Sequence, residues 1–499
     1  MAPRPTLKTR TAGVLLHPTS LPGPHGVGDL GEGALSFAGF LAECGQRWWQ
    51  TLPVGPTGGG NSPYSALSSF AGSPFLVSLE ALAEEKLLLH EDARPAEHLP
   101  ADRVLYEAVI PYKEERLKRA YEAFERGAGD AAREEFRAFA AAKAGWLPDF
   151  ALYMALKRAH GGRSWTEWPV EVRSRRPEAL DVARRALALE VRFHEFVQFQ
   201  FDRQWNRLRG RCESLGIGLI GDIPIFAPLD SADVWARQDL FDIDPEGLPR
   251  TVAGVPPDVF NENGQLWGHP QYAWGAHRAD GYAWWIARVR SAFSRFHAVR
   301  IDHFVGFHRT WAIPYGAPNA REGTWLPGPG GEFFRALRAA CGFLELIAED
   351  LGIVPREVEE LRDGFDLPGI RVLQFGGPEC GMHLPRAYPR RCLAATGTHD
   401  NDTSKGWYAS LWDPKFREFI DRALGAGAPE IPWDMIRGVL ASEADTAVVP
   451  LQDYLGLGSE ARMNRPGEPW GNWEWRFPAG ALTPALSSRV RALVQATRR

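Results

Sequence analysis

Three acids close short apolar runs in nearly the same way: Val299-Arg300-Ile301-Asp302-His303, Leu346-Ile347-Ala348-Glu349-Asp350 and Gly397-Thr398-His399-Asp400-Asn401. Paired carboxyl groups are what cutting a glycosidic bond requires. One attacks the anomeric carbon and the other protonates the departing oxygen, about 5–5.5 Å apart when configuration is retained. A single acid at a strand end reads more simply as a helix cap or a solvated charge, but three converging on one mouth point to chemistry. Arg300 precedes Asp302 by two residues, so on a strand both side chains point to the same side. A guanidinium there would hold Asp302 ionised.

Such acids need elements that bring them together. Short apolar runs ending in polar or charged residues recur at 13–18, 48–54, 218–226, 298–303, 344–350, 370–375, 393–399 and 447–455. Strands buried on both faces of a parallel barrel read this way, with the chemistry at their carboxyl ends. The expected fold is therefore α/β, a (β/α)8 TIM barrel elaborated within one domain spanning 1–499. Between the second and third runs, residues 76–213 are rich in helix formers with apolar residues at helical spacing, as in 112–137 and 150–159, which predicts a helical insertion. Residues 242–274 are rich in Gly, Pro and Asn with interspersed aromatics, which predicts an ordered loop over a surface. That segment is the expected lid, part of a loop insertion reaching residue 297.

Composition narrows the partners. Of the residues, 44% are hydrophobic and 24% charged, near the averages of soluble globular proteins. The net charge of −5 gives no footprint for nucleic acid or an anionic membrane. The chain holds 19 Trp, 27 Phe and 11 Tyr, whose flat faces suit sugar rings as well as a large core. Its five cysteines are odd in number, scattered and free of CxxC, which predicts a reducing, cytoplasmic setting rather than a disulfide framework or zinc site. The apolar run after the basic start is too short for a signal peptide, and no stretch approaches the roughly 20 apolar residues of a membrane span.

Around the acids the sequence resembles the amylomaltases, or disproportionating 4-α-glucanotransferases, of the α-amylase superfamily. The blocks carrying the resemblance are LLHPTSLPGPHGVGDLG from Leu15, NSPYSALSSFAGSPF from Asn61, GDIPIFAPLDSADVWA from Gly221, VAGVPPDVFNENGQLWGHPQYAW from Val252, VRIDHF from Val299, IAEDLG from Ile347, GTHDNDT from Gly397 and RMNRPGEPWGNWEWR from Arg462. The resemblance implies transfer of α-1,4-glucan segments from a glucan donor to glucose or a maltooligosaccharide, by a retaining double displacement, with cyclisation as a further outcome. It makes Asp302 the nucleophile, Glu349 the general acid/base and Asp400 the third carboxylate, which grips hydroxyls of the sugar under attack. Asp222, Arg300 and His399 surround that sugar, Tyr64 forms a platform under it, and Ser62 lies near the next glucosyl unit. Asp258, Phe260, Gln265 and Trp267 fall in the lid, with Trp267 and His303 on the acceptor side. Trp235, Trp274, Trp284 and Trp285 are expected to pack the core or support the lid.

The roles agree with the chemistry. Glu349 must begin protonated, and the neighbouring Asp302 carboxylate would raise its pKa. No cofactor is expected, because Gly58–Gly60 and the glycines at 328–331 do not sit between a strand and a helix. No metal is expected either, since Asp400-Asn401-Asp402 lacks the Gly and closing Glu of a calcium loop. A monomer or weak homo-oligomer is expected. Two segments depart from the family pattern. Pro257-Asp258-Val259-Phe260 stands where an aromatic pair is common, and Gly58-Gly59-Gly60 where a Tyr often follows a Gly, so both lose stacking surface. The competing readings are an α-amylase-type hydrolase with the same acids, and a non-catalytic glucan-binding scaffold, against which all three carboxylates and Arg300 are intact.

Overall fold

The computed structural model describes residues 4–96, 98–257, 261–425, 430–468 and 470–499. Asp258 and Phe260 lie outside the described residues. Twelve named strands follow in chain order: β1 (Thr11–Leu15), β2 (Trp48–Gln50), β3 (Gly218–Ile223), β4 (Thr251–Val255), β5 (Gln265–Pro270), β6 (Ala298–Ile301), β7 (Arg309–Pro314), β8 (Thr324–Pro327), β9 (Leu346–Ala348), β10 (Gly369–Val372), β11 (Cys392–Ala395) and β12 (Thr446–Pro450). Eight of them form one parallel sheet in the order β10-β11-β12-β1-β2-β3-β6-β9. The Ala348 amide donates to Pro368 O over 2.9 Å, just ahead of β10, which brings the two end strands together. All eight apolar runs read from the sequence are these barrel strands.

Alternation along each strand divides the core in two. Trp48, Ile220, Ala298, Ile347, Ile370, Leu393 and Val448 belong to one buried cluster, filling the barrel. Trp49, Leu219, Val299, Ala348, Ala394 and Val449 belong to a second, which reaches the helices outside. Both faces are covered, so the strands read as continuous apolar runs.

Between β2 and β3 the chain is helical, with Tyr106–Gly127, Asp130–Ala142, Leu147–Ala159 and Ala188–Ser214 its longest members. The continuous periodicity over 112–137 is interrupted at Ala128-Gly129, where the backbone turns extended and a new helix begins. One buried ion pair ties this region to the barrel. Lys113 Nζ, on Tyr106–Gly127, lies 2.9 Å from Asp29 Oδ2 and also donates to Phe75 O and Val77 O. The Ala188–Ser214 helix then packs on β3.

The segment expected as an ordered loop contains β4 and β5, which join β7 and β8 in an antiparallel sheet ordered β5-β4-β7-β8. Its glycines serve strand contact rather than a loop. A Cβ on Gly254 would stand 2.2 Å from Gln265 O, so only glycine lets β5 approach. Between the Gly254–Leu266 and Val252–Pro270 pairs, β5 carries a bulge holding Trp267, Gly268 and His269, with Gly268 at φ +76°. Ala283–Arg295 is a helix packed against β3 and β6, so this end of 242–297 belongs to the barrel wall. Among the described residues no helix is long and apolar enough to cross a membrane.

Candidate active site

The site begins with a register. Asp222 on β3 pairs directly with Arg300 on β6, and Ile301 with Ala348 on β9. One step further, Asp302 and Glu349 leave adjacent strands side by side. Arg300 Nη1 lies 2.6 Å from Asp222 Oδ2 and Nη2 lies 2.8 Å from Asp302 Oδ1, so one guanidinium bridges two carboxylates. Burial works against its charge, but Asp222 and Asp302 outweigh this and push its pKa well up. The two-residue spacing of Arg300 and Asp302 thus produces the contact the sequence predicts. Asp222 is fully buried, and burial raises its pKa despite Arg300.

Glu349 is held by backbone. Its Oε2 accepts from the His303 amide at 2.6 Å and its Oε1 from the Leu351 amide at 3.2 Å. His303 reaches this position in a left-handed conformation, φ 50°, ψ 56°. The pKa of Glu349 is raised to about 7, first by burial, with Asp302 adding to the rise and Arg300 opposing it. Its raised pKa therefore owes more to desolvation than to the neighbouring acid, which is the one cause expected from sequence.

Asp400 differs from the other two. The strand expected over 393–399 stops at Ala395, and Asp400 arrives on the turn that follows. Thr398 N and Oγ1 both donate to Asn401 Oδ1, and the Asp400 amide donates to Thr398 Oγ1, which builds that turn from side chains instead of ladder bonds. His399 Nε2 is 3.3 Å from Asp400 Oδ1, and Asn464 Nδ2 donates to the same oxygen at 2.6 Å. Desolvation in the cleft would raise the Asp400 pKa, although its side chain stays half exposed, but His399 and Asn464 hold it well below the usual carboxylate range. Asp402 takes no part, since its oxygens accept from Thr403 N and Ser459 Oγ.

Tyr64, on the loop after β2, stacks on His399 with ring centroids 4.9 Å apart. Its hydroxyl lies 2.8 Å from Asp222 Oδ2 and 3.3 Å from His399 Nδ1. Burial keeps this phenol protonated, with its pKa well up. The single hydroxyl proton goes to Asp222, which can only accept, so His399 Nδ1 must be the donor to Tyr64. With Nε2 facing Asp400 at 3.3 Å, a proton on each ring nitrogen meets an acceptor. Burial opposes that charge, but Asp400 outweighs it and the His399 pKa is raised. The His17 pKa is pushed down to about 3 by burial and by His399.

Ser62 lies two residues before Tyr64 and accepts its amide at 3.2 Å. On β5, Trp267 Nε1 donates to the exposed Gln265 Oε1 at 3.2 Å, and the Trp267 ring meets His303 edge-on at 4.8 Å. Burial lowers the His303 pKa to about 4, so its ring is neutral. The structure thus joins Asp222, Arg300, Asp302, Tyr64, His399 and Asp400 through direct contacts, with Glu349, Trp267 and Gln265 reached through His303. Trp235, Trp284 and Trp285 are buried and, with Trp274, stack in aromatic clusters outside this network. Asn464, Arg462 and Trp473 were missed as site residues, although all three stand in the RMNRPGEPWGNWEWR block. Trp473 places its ring 5.9 Å from both Tyr64 and His399. Among the described residues no group of three or more His, Cys, Asp or Glu is placed to hold a metal ion.

Comparison with known proteins agrees with this geometry. A family model described as 4-alpha-glucanotransferase matches residues 16–483. The chain is 48% identical to a 4-alpha-glucanotransferase of Thermus thermophilus, over 98% of this chain and 99% of the relative. It is 44% identical to one from Synechocystis sp., over 98% of each. Among solved structures, an amylomaltase from Streptococcus agalactiae in complex with acarbose superposes with TM-score 0.95 at 32% identity, covering 98% of this chain and 99% of that one. The barrel, the bridged carboxylates and these likenesses lead to one conclusion: the chain belongs to the 4-alpha-glucanotransferase family and is an enzyme of that activity.

Proposed function

We propose that Asp302 is the nucleophile, Glu349 the general acid/base and Asp400 the carboxylate that grips the sugar in the transition state. The observation that carries this is the division of environments. Glu349 has a pKa near 7 on two backbone amides, while Asp302 sits on the Arg300 guanidinium one strand away. Two carboxyl groups with different environments on adjacent strand ends are what acid and nucleophile need.

In the first half-reaction an Asp302 oxygen attacks C1 of the donor sugar, the C1–O4 bond breaks, and Glu349 passes its proton to the departing O4. The ester removes the negative charge of Asp302, so Glu349 ionises more readily. In the second half-reaction Glu349 takes the proton of the acceptor 4-hydroxyl, whose oxygen attacks C1 and expels Asp302. Configuration is retained. Tyr64 lies under the sugar, and Asp222 offers it Oδ1, a buried oxygen that no described residue donates to. The donor is an α-1,4-glucan and the acceptor glucose or a maltooligosaccharide, while attack by the donor's own far end gives cycles. The acarbose held by the Streptococcus agalactiae amylomaltase supports an oligosaccharide in this cleft. Five free cysteines support a reducing, cytoplasmic setting. Monomer or weak homo-oligomer remains our reading of the assembly.

The test is incubation with maltotriose, where transfer gives glucose plus longer chains and hydrolysis gives mainly glucose and maltose. A slowly resolved fluoro-sugar donor should label Asp302 in peptide maps. A label on Glu349 or Asp400 would reassign the roles.

A further inference from the structure

Asp302 and Glu349 are placed by neighbouring strands in register, but Asp400 stands on a turn that the barrel ladder does not orient. Residues 462–468 and 470–473 supply what the ladder does not. Arg462 Nη2 donates to the Asp400 carbonyl at 2.7 Å, and its Nε donates to the Asn464 carbonyl at 2.7 Å, so one guanidinium ties the turn to this strap. The strap closes on itself through Trp473 N to Met463 O, Arg465 N to Asn472 Oδ1 and Asn472 Nδ2 to Glu468 O. Trp473 anchors it, 6% exposed and in ring contact with Tyr64 and His399. None of these contacts uses the Asn464 side chain.

That side chain does something else. A carboxylate only accepts, so the 2.6 Å contact fixes the Asn464 amide with its NH2 toward Asp400 Oδ1. His399 Nε2 approaches the same oxygen. Both donors converge on Oδ1, no described residue donates to Oδ2, and the Asp400 side chain is 47% exposed. The terminal torsion of an aspartate is otherwise broad. We propose that Asn464 is a positioning residue that locks the rotation of the Asp400 carboxylate and reserves Oδ2 for hydroxyls of the sugar being transferred. This rests on the reading of Asp400 given above. A short charge-assisted bond is strong enough for the task, and an oxygen fixed in advance needs no reorganisation as charge develops on the sugar.

The groups facing this pair are His399, Arg300, Asp222 and Tyr64 from the barrel ends, His17 from the segment after β1, and Arg462 from the strap. None of them replaces an amide donor on Oδ1 at the strap side.

The experiment is a double-mutant cycle on the full chain, with maltotriose and with an α-glucosyl fluoride donor whose slow fluoride release stays measurable. Asn464→Ala should lower kcat roughly 10- to 100-fold with little change in KM, as for a misplaced group that acts in the transition state. In an Asp400→Asn background the same change should cost no more than about twofold. Equal losses in both backgrounds would overturn the proposal, because Asn464 would then act on substrate or on the strap itself. Retention of full activity by Asp400→Asn alone is a separate outcome that sinks the reading of Asp400. A second variant, Asn464→Asp, sets two carboxylates against each other. Its activity relative to the parent should rise as the pH falls and one carboxyl is protonated into a donor. A pH-independent ratio would count against the hydrogen bond.

Discussion

The His303 amide donates to Glu349 Oε2 over 2.6 Å, so the residue that follows Asp302 also holds the Glu349 carboxyl. A left-handed non-glycine residue is strained by itself, and here its amide finds a carboxylate. The arrangement fixes Glu349 relative to Asp302 without a side chain that substrate could displace.

Donor cleavage should therefore follow the protonation of Glu349. Its pKa is raised to about 7, so the acid form predominates below that value and is lost above it. The alkaline limb of kcat/KM on maltotriose should fall through about pH 7. Glu349→Gln should lose most activity on maltotriose and far less with glucosyl fluoride, whose leaving group needs no proton. Equal losses with both donors would remove Glu349 from the acid role.

Arg300→Lys should fail despite keeping the charge, because one ammonium cannot serve Asp222 and Asp302 in the geometry of the planar fork. A fall in kcat of about 100-fold is expected. Arg300→Met leaves Asp222 fully buried without its cation, at a cost of about 3–5 kcal/mol. The Asp222 pKa is already raised, and removing Arg300 raises it further. The folded state then binds a proton the unfolded state has released, so the stability loss grows as pH rises above the unfolded aspartate value. Urea unfolding of parent and variant at pH 5 and pH 7 should show the larger difference at pH 7.

The sequence carried the barrel because strands buried on both faces leave continuous apolar runs, and it carried Asp302 and Glu349 because each stands one residue past such a run. Asp400 reads as the end of a strand, but that strand stops at Ala395, and Thr398 and Asn401 build the turn that presents it instead. Asn464 was not legible as a site residue. Its role depends on a hydrogen bond to a residue 64 positions away, and nothing in local spacing records that. The sheet of β4, β5, β7 and β8 escaped for a similar reason, as its glycines serve non-local pairing while resembling loop composition.

The helical region between β2 and β3 should depend on Lys113 for stability and not for chemistry. Its Nζ satisfies Asp29 and two carbonyls with no exposed surface. Lys113→Met should cost about 3–5 kcal/mol by leaving Asp29 buried and unpaired. Lys113→Met with Asp29→Asn should recover part of this, since the stranded charge is gone. Thermal unfolding and kcat at low temperature separate the two effects, and a large fall in kcat with unchanged melting would contradict the assignment.

Transfer instead of hydrolysis is decided in the second half-reaction, where a sugar hydroxyl competes for the ester with water at about 55 M. Acceptor binding must supply the preference. The β5 bulge carries Trp267 edge-on to His303, the residue after Asp302. The same ring lies 6.2 Å from Phe226, so it could instead serve to pin the bulge to the barrel. The two roles separate kinetically. If Trp267 is an acceptor platform, Trp267→Ala should lower transfer much more than hydrolysis, because stacking is lost and water enters. Positioning of an acceptor can be worth several kcal/mol, so the ratio of reducing ends released to glycosyl units transferred should rise at least tenfold. Both rates measured on maltotriose at several acceptor concentrations decide it. A parallel fall with an unchanged ratio would mean that Trp267 acts through the bulge or the donor, and the acceptor role would pass to Gln265 and His303.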